Sequence, residues 1–437
     1  MSFVRQGAGT LLSRVIVYGA AFLANILIAR LLGPAGKGQV SLIIFTVTVV
    51  IDLAALGIPS ALVFFVGQRL YEVRRLVGAG VVLYAVLTAA FSLLYLLVVP
   101  HLHGTLFSEL PLWLLYFVLV AFPITSATRY AQHIALGLRQ VFRFNVVTVL
   151  DRVGVLVLLL VILCGLERSV AGVVTAEVLG RLLACAVALY WLFSTVKPAL
   201  GFGGRVVAAL LNYGLRAHLM LMIALVSYRV GLYVLRYFHD DATVGQYSIA
   251  LNVAEVLLFI PNSFGVILFS RTSGSSKEEA DRFTPIAARN VLLVTLVAAG
   301  VLAVAAPVLV PLVFGRDFTP AVAPFFVLLP GVVVFALYRV LSYDIIGRGF
   351  PLRVSVASAA GLLANLAVAI ILVPALGAMG AAWGNFAGYV VTTIIITCIF
   401  LRLSQNRLVD VLFWRRGDFR HYRGILTKLR ASPPPEE

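Results

Sequence analysis

Charge is scarce in this chain. Asp, Glu, Lys and Arg make up 12% of its 437 residues, 62% are hydrophobic, and the mean hydropathy is +1.04. A soluble domain carries about 25% charged residues, so a soluble globular fold is excluded. Acidic residues are the scarcest, 18 against 34 basic ones. There are only three cysteines, and Cys164, Cys185 and Cys398 each sit in an apolar run without CxxC or Cys/His spacing. They read as small core residues, which excludes a disulfide framework and a cysteine metal site. No Walker A loop, dinucleotide glycine pattern or nucleophile elbow is present. ATP-driven transport by this chain alone is therefore not expected, nor is a cofactor or bound metal, and His101 and His103 read as solvated. No cleavable leader is expected either, because the first apolar run, 10–32, is longer than a signal h-region.

What is present is a series of apolar runs longer than the roughly 18 residues that mark a membrane-spanning helix. The expected fold is an all-α polytopic membrane protein with about twelve spans. They run over 10–32, 39–66, 77–99, 112–133, 146–165, 170–193, 213–237, 246–270, 290–314, 322–346, 354–373 and 380–402. With the N-terminus inside, most of the 34 basic residues fall on the cytoplasmic side, and the opposite loops hold only Lys37, Arg168 and Arg316. The positive-inside rule then places both termini in the cytoplasm. Most of the +16 net charge is topology, which argues against a nucleic-acid partner. Residues 404–437 form a basic tail, with Leu408, Val411, Leu412, Phe419, Tyr422, Leu426 and Leu429 at helical spacing and a disordered end. Two readings stand for it: a helix on the anionic inner leaflet, or a solvated tail.

The chain is written twice. Gly38, Gln39 and Ser41 match Gly245, Gln246 and Ser248 at an offset of 207. Arg129, Gly137 and Arg143 match Arg339, Gly347 and Arg353 at 210; Gly172 and Gly180 match Gly380 and Gly388 at 208. In the second span of each half an acid precedes an Ile-Pro pair: Asp52 before Ile58-Pro59, and Glu255 before Ile260-Pro261. Two homologous six-helix halves follow, 1–195 and 213–403, with a cytoplasmic linker at 196–212. Six is even, so the halves are parallel repeats, an arrangement that places a transporter's substrate site between them.

The stretches "ARLLGPAGKGQ", "LGIPSAL" and "ATVGQYSIA...FIPNSF" resemble the polysaccharide or O-antigen flippases of Wzx type, within the multidrug/oligosaccharidyl-lipid/polysaccharide exporter superfamily. The resemblance covers about residues 1–402. It implies a V-shaped pair of six-helix bundles in a bacterial inner membrane. It also implies outward transfer of a lipid-linked oligosaccharide, usually on undecaprenyl diphosphate, by alternating access, alongside the polymerase and glycosyltransferases of the same pathway. Helices 1, 2, 7 and 8 are then expected at the central cleft.

Helical geometry picks out polar faces. At about 100° per residue, Arg14, Tyr18, Ala21 and Asn25 form one stripe on the first helix, and Arg30 points away from it. Ser41, Thr48 and Asp52 share a face of the second, with Pro59 on the same side. Ser248, Glu255 and Asn262 share a face of the eighth, and Arg229 and Arg236 one of the seventh. All ten basic residues placed in or at the ends of the spans are arginines, among them Arg216 and Arg339. Arginine stays charged when partly desolvated and grips phosphate bidentately, so Arg14, Tyr18, Asn25, Arg216, Arg229, Arg236 and Arg339 are the candidate cavity residues. Arg14, Arg216 and Arg236 have a second reading as interfacial snorkels. Asp52 and Glu255 lack a basic neighbour one turn away. They read as partners of arginines across the cleft or as carriers of H+ or Na+. Glu177 is spaced to pair with Arg181; Arg339, if not a cavity residue, pairs with Asp344 or with a neighbouring helix. Pro59 and Pro261 read as helix kinks or as ordinary packing prolines.

Three function classes stand at this point. The first is the flippase. The second is a cation-coupled multidrug exporter of the same superfamily, which would favour an acid-lined cavity. The third is a polytopic glycosyltransferase, polymerase or acyltransferase, and its lack of a large extramembrane loop makes the chain read as no enzyme.

Overall fold

The computed structural model describes residues 3–199, 203–272 and 276–413. The Arg216 side chain and the tail beyond Phe413 lie outside the described residues. Every described element is a helix: α1 (Phe3–Ala55), α2 (Ile58–Gln68), α3 (Val73–Leu106), α4 (Leu112–Leu115), α5 (Val118–Gly137), α6 (Val141–Gly165), α7 (Val170–Thr195), α8 (Gly204–Phe238), α9 (Asp241–Glu255), α10 (Phe259–Thr272), α11 (Lys277–Phe314), α12 (Val322–Gly347), α13 (Pro351–Leu376), α14 (Ala378–Leu403) and α15 (Leu408–Leu412). Ten helical stretches among the described residues are long and apolar enough to cross a membrane. One of them, in α1, comprises two crossings. The 35-residue α8, only partly described, supplies the twelfth.

α1 is two legs joined at Gly33, whose φ of 65° breaks the helix just before Pro34. Glycine takes this left-handed conformation without a Cβ penalty. Had the helix run straight, Asn25 and Lys37 would stand about 18 Å apart; instead Lys37 Nζ lies 2.6 Å from Asn25 Oδ1. The chain therefore folds back sharply, and the expected outer loop between the first two spans is not a loop. The second span breaks again at Leu56–Gly57, and its counterpart in the other half breaks in a 3₁₀ turn, Val256–Leu258. Pro59 and Pro261 follow these breaks. A proline clashes with the carbonyl four residues back. Those residues are Ala55, the last of α1, and Leu257, inside the 3₁₀ turn.

Two bundles result. In the first, α6 packs on α7 and on α1, and α2 and α7 pack on α5. In the second, α14 packs on α13 and α12, α8 lies on α13, and α11 and α10 flank α12. α1 meets α9 between the bundles. Outward faces are apolar, with Leu97, Val304, Leu363 and Ile371 exposed; contiguous apolar exteriors of this kind meet lipid.

The 196–212 segment departs from the expected linker. α8 already begins at Gly204, and Val206 and Leu210 are buried with Ile58, Leu76 and Tyr130 of the first half. The first residues of the tail depart as well. Val411 is buried, Asn406 Nδ2 donates to Asp281 O at 2.9 Å, and Arg289 donates to Asp410 O. This stretch is docked on α11 rather than laid on a membrane surface.

Candidate functional site: a cationic cavity between the halves

A cavity of about 530 Å³ lies between the two bundles. One end is closed by backbone. A Cβ at Gly38 would stand 1.8 Å from Asp241 O, and a Cβ at Gly245 would stand 1.9 Å from Pro34 O. Only glycine permits this approach. Just inside the closure Ser41 Oγ donates to Ser248 Oγ at 3.2 Å. This closed end is called the apex below.

Both legs of α1 line the cavity, with Ala21 and Asn25 on the first and Lys37, Ser41 and Thr48 on the second. The opposite wall is Ser248, Asn252 and Glu255 of α9, Arg229 of α8 and Asn262 of α10. Arg152 of α6, Glu177 of α7 and Arg339 of α12 complete it. Of the residues expected there, Asn25, Arg229, Arg339, Glu255 and Glu177 are brought together.

Others are not. Tyr18 is exposed and packs edge-on against Phe259 at 5.4 Å; it and the exposed Arg14 do not line the cavity. Arg236 is buried near the apex but outside the cavity. Its Nε lies 2.6 Å from Asp241 Oδ1, and it donates to Ser108 Oγ at 3.0 Å and approaches Glu109 Oε1 at 3.3 Å. Asp241 is the first residue of α9, and Asp240 caps that helix by accepting from Thr243 N and Oγ1. Those hydrogen bonds hold the Asp240 carboxyl below its ordinary range.

The acids pair differently from expectation. Asp52 takes Arg129 of α5, in its own half. Glu255 takes Arg229 at 2.9 Å, again within one half. Pairing across the cleft is overturned for both, because each helix has a nearer cationic neighbour inside its own bundle. Asp344 accepts from Arg348 Nε and from Thr284 Oγ1, both at 2.7 Å, and Arg348 also reaches Asp281 at 2.7 Å. Asp344 therefore balances Arg348 and not Arg339, whose guanidinium lies over the Phe335 ring at 5.6 Å. Glu177 and Arg181 pair at 2.5 Å, as their spacing implied. Arg30 is also accounted for: its guanidinium donates to the carbonyls of Val313 and Leu312 at the end of α11.

Two cavity cations, Lys37 and Arg152, and the neutral Asn252 are not singled out by the sequence. Lys37 falls in an expected outer loop, yet it is buried and lines the cavity, so the membrane set of cations is not all arginine. A signal for it existed: Lys37, Ser41, Ile44 and Thr48 keep helical spacing, one turn beyond the face already drawn. Arg152 is one of the ten span arginines and lies near the inner end of its helix, where a snorkel is the ordinary reading. It lines the cavity, with Asp151 Oδ2 3.6 Å away, and nothing in its neighbourhood distinguishes it in sequence.

Residues 3–269, well over half the chain, match the family described as Polysaccharide biosynthesis protein. The chain belongs to that family. No curated protein matches it in sequence. Among solved structures it is similar to an inward-facing multidrug resistance MATE family transporter of the MOP superfamily, at 18% identity and a TM-score of 0.78, over 88% of this chain and 94% of that one. It is also similar to the lipid II flippase MurJ in an inward closed conformation, at 13% identity and a TM-score of 0.72, over 98% and 96%. A third is a MOP superfamily transporter from Pyrococcus furiosus, described as having a binding pocket of reverse polarity, at 16% identity and 0.66, over 92% and 95%. At these identities the similarity shows the fold: this family member has the fold of the MOP superfamily transporters.

Proposed function

We propose that the chain flips an anionic lipid-linked oligosaccharide, carried on a polyprenyl diphosphate such as undecaprenyl diphosphate, from the cytoplasmic to the outer leaflet of a bacterial inner membrane. The observation that carries this reading is the charge of the cavity. Four cations line it (Lys37, Arg152, Arg229 and Arg339) against two carboxylates (Glu177 and Glu255), a surplus of about two positive charges, near the charge of a diphosphate diester. Asn25, Asn252, Asn262 and Ser41 add neutral hydrogen-bonding groups suited to sugar hydroxyls. A cationic drug would meet repulsion in the same space, which disfavours the multidrug exporter reading. Movement of the two halves about the apex provides alternating access without covalent chemistry.

In this reading the positive-inside distribution sets both termini in the cytoplasm, and the apex closes the outer side. An inside-negative potential helps expel the anion, by about 2.3 kcal/mol per charge per 100 mV. H+ or Na+ coupling is an added candidate drive. Within the pathway the chain receives its cargo from glycosyltransferases and delivers it to a polymerase.

The test is reconstitution into liposomes containing a fluorescent polyprenyl-diphosphate oligosaccharide, with an impermeant quencher added outside. The wild type is expected to accelerate exchange between leaflets. An R229Q/R339Q protein that inserts normally is expected to lose most of that acceleration. A wild-type rate equal to that of empty liposomes would sink the proposal.

A further inference from the structure

Lys37 is the one lysine among the cations that line the cavity. It lies four residues beyond the Gly33 bend, at the apex, and is only 4% exposed. Its Nζ donates to Asn25 Oδ1 at 2.6 Å, and the same oxygen receives Asn252 Nδ2 from the other half at 3.4 Å. Asn25 Nδ2 is turned away to Ala21 O at 2.9 Å, which fixes the amide oxygen toward the ammonium.

No carboxylate among the described residues pairs with Lys37. The two acids of the cavity are already engaged, Glu177 by Arg181 at 2.5 Å and Glu255 by Arg229 at 2.9 Å. An ammonium has three donors, and a neutral amide is the partner shown for one of them. Glu177 is near enough to attract Lys37 but is bonded to Arg181, and a buried charge with no carboxylate in bonding contact is expensive inside a membrane protein. A rotating point donor suits one oxygen of a tetrahedral or planar anion. Ser41 and Ser248 line the same cavity and meet each other just inside the seal.

We infer that Lys37, positioned by Asn25, is the anchoring cation of an anion subsite at the apex, taking a phosphate oxygen or a sugar carboxylate of the cargo. The inference rests on the reading of the cavity as the cargo path. It adds that the cargo enters anion-first to the sealed end, past the arginines that line the walls nearer the open end. It also links occupancy to the seal, since an anion that draws Lys37 away from Asn25 releases one side of the Asn25–Asn252 contact between the halves.

The experiment uses the full chain in detergent micelles and reads its thermal stability against pyrophosphate, glucuronate and glucose at constant ionic strength. Pyrophosphate, glucuronate or both should raise the melting temperature, and glucose should not. K37M should weaken the response at least about tenfold, as loss of a charge-assisted hydrogen bond requires, while K37R stays within about threefold of wild type. Dependence on Lys37 for pyrophosphate points to the carrier phosphate, and dependence for glucuronate alone points to an acidic sugar; either result supports the subsite. Equal responses of wild type and K37M, or no response to any anion, overturn it. If K37M does not fold, K37Q carries the same comparison. Absence of lipid translocation by the wild type would overturn the flippase reading while leaving this anion binding intact.

Discussion

Ser41 Oγ and Ser248 Oγ meet at 3.2 Å although they are 207 residues apart, and 207 is also the offset that aligns the two halves. Each serine thus touches its own repeat counterpart, which places the pair on the pseudo-two-fold axis. The glycines around it obey the same relation. Gly38 approaches Asp241 O, and Gly245 approaches Pro34 O; adding 207 to 34 and 38 gives 241 and 245. A duplicated chain buries its best self-complementary surface at its axis, and here that surface seals one end of the cavity.

The first prediction concerns that seal. In G38A or G245A a methyl group would meet a carbonyl oxygen within 2 Å of where it must sit, and backbone cannot yield as a side-chain tip can. The two halves should part at the apex. A cysteine at Ser41, in a protein freed of its three native cysteines, should then react with an impermeant thiol reagent from the apex side at least about tenfold faster. Unchanged labelling would refute the close approach.

Arg229 and Glu255 form the second. Both line the cavity and are partly accessible. E255Q frees the guanidinium for cargo, whereas R229Q removes it and leaves an unpaired carboxylate. E255Q should therefore bind pyrophosphate more tightly and R229Q more weakly. A double-mutant cycle on melting temperature should give a coupling of about 1 kcal/mol, and additivity would show that the pair is not formed.

Arg236 joins the halves near the apex, through Asp241 of α9 on one side and Ser108 and Glu109 of the first half on the other. R236A would leave Asp241, 1% exposed, as an unpaired buried charge. That should cost about 3 kcal/mol or more and lower the melting temperature markedly. E109Q removes only a half-exposed partner, so its stability should stay near wild type while apex-side labelling rises. Equal effects of the two substitutions would contradict this division of labour.

Asp240 supplies a pH prediction. Thr243 holds its carboxyl below the ordinary range, so the ionised form is favoured by folding. Its contribution is full above the ordinary aspartate value of about 3.9 and is lost as pH falls through the lowered one. D240A should cost about 1 kcal/mol at neutral pH, as for other lost helix caps. The gap between D240A and wild type in melting temperature should shrink in acid below about pH 4; a gap that is constant with pH would argue against the cap.

Much of the fold was legible in the sequence. Apolar length marks a span wherever it falls, and repeat offsets survive as long as a few glycines and polar residues are retained. Glu177–Arg181 was legible too, because both residues lie on one helix and local geometry fixes their distance. The partners of Asp52, Glu255 and Asp344 were not. Each was within reach of several arginines in sequence, and the choice among them depended on which helices pack together. Lys37 was misplaced for a related reason. A glycine–proline junction reads as a loop, and loops are taken to be solvated, but the bend at Gly33 is so tight that the helix resumes at once and carries the lysine inward.

The sequence by itself determined a twelve-span membrane protein made of two parallel halves, because crossing a bilayer and duplicating a unit both leave one-dimensional marks. Which charges face the cavity, which are neutralised inside a bundle and which tie the halves together was decided only by tertiary structure. A charge in a membrane acts through its nearest counter-charge, and that neighbour is set by the packing of helices far apart in the chain.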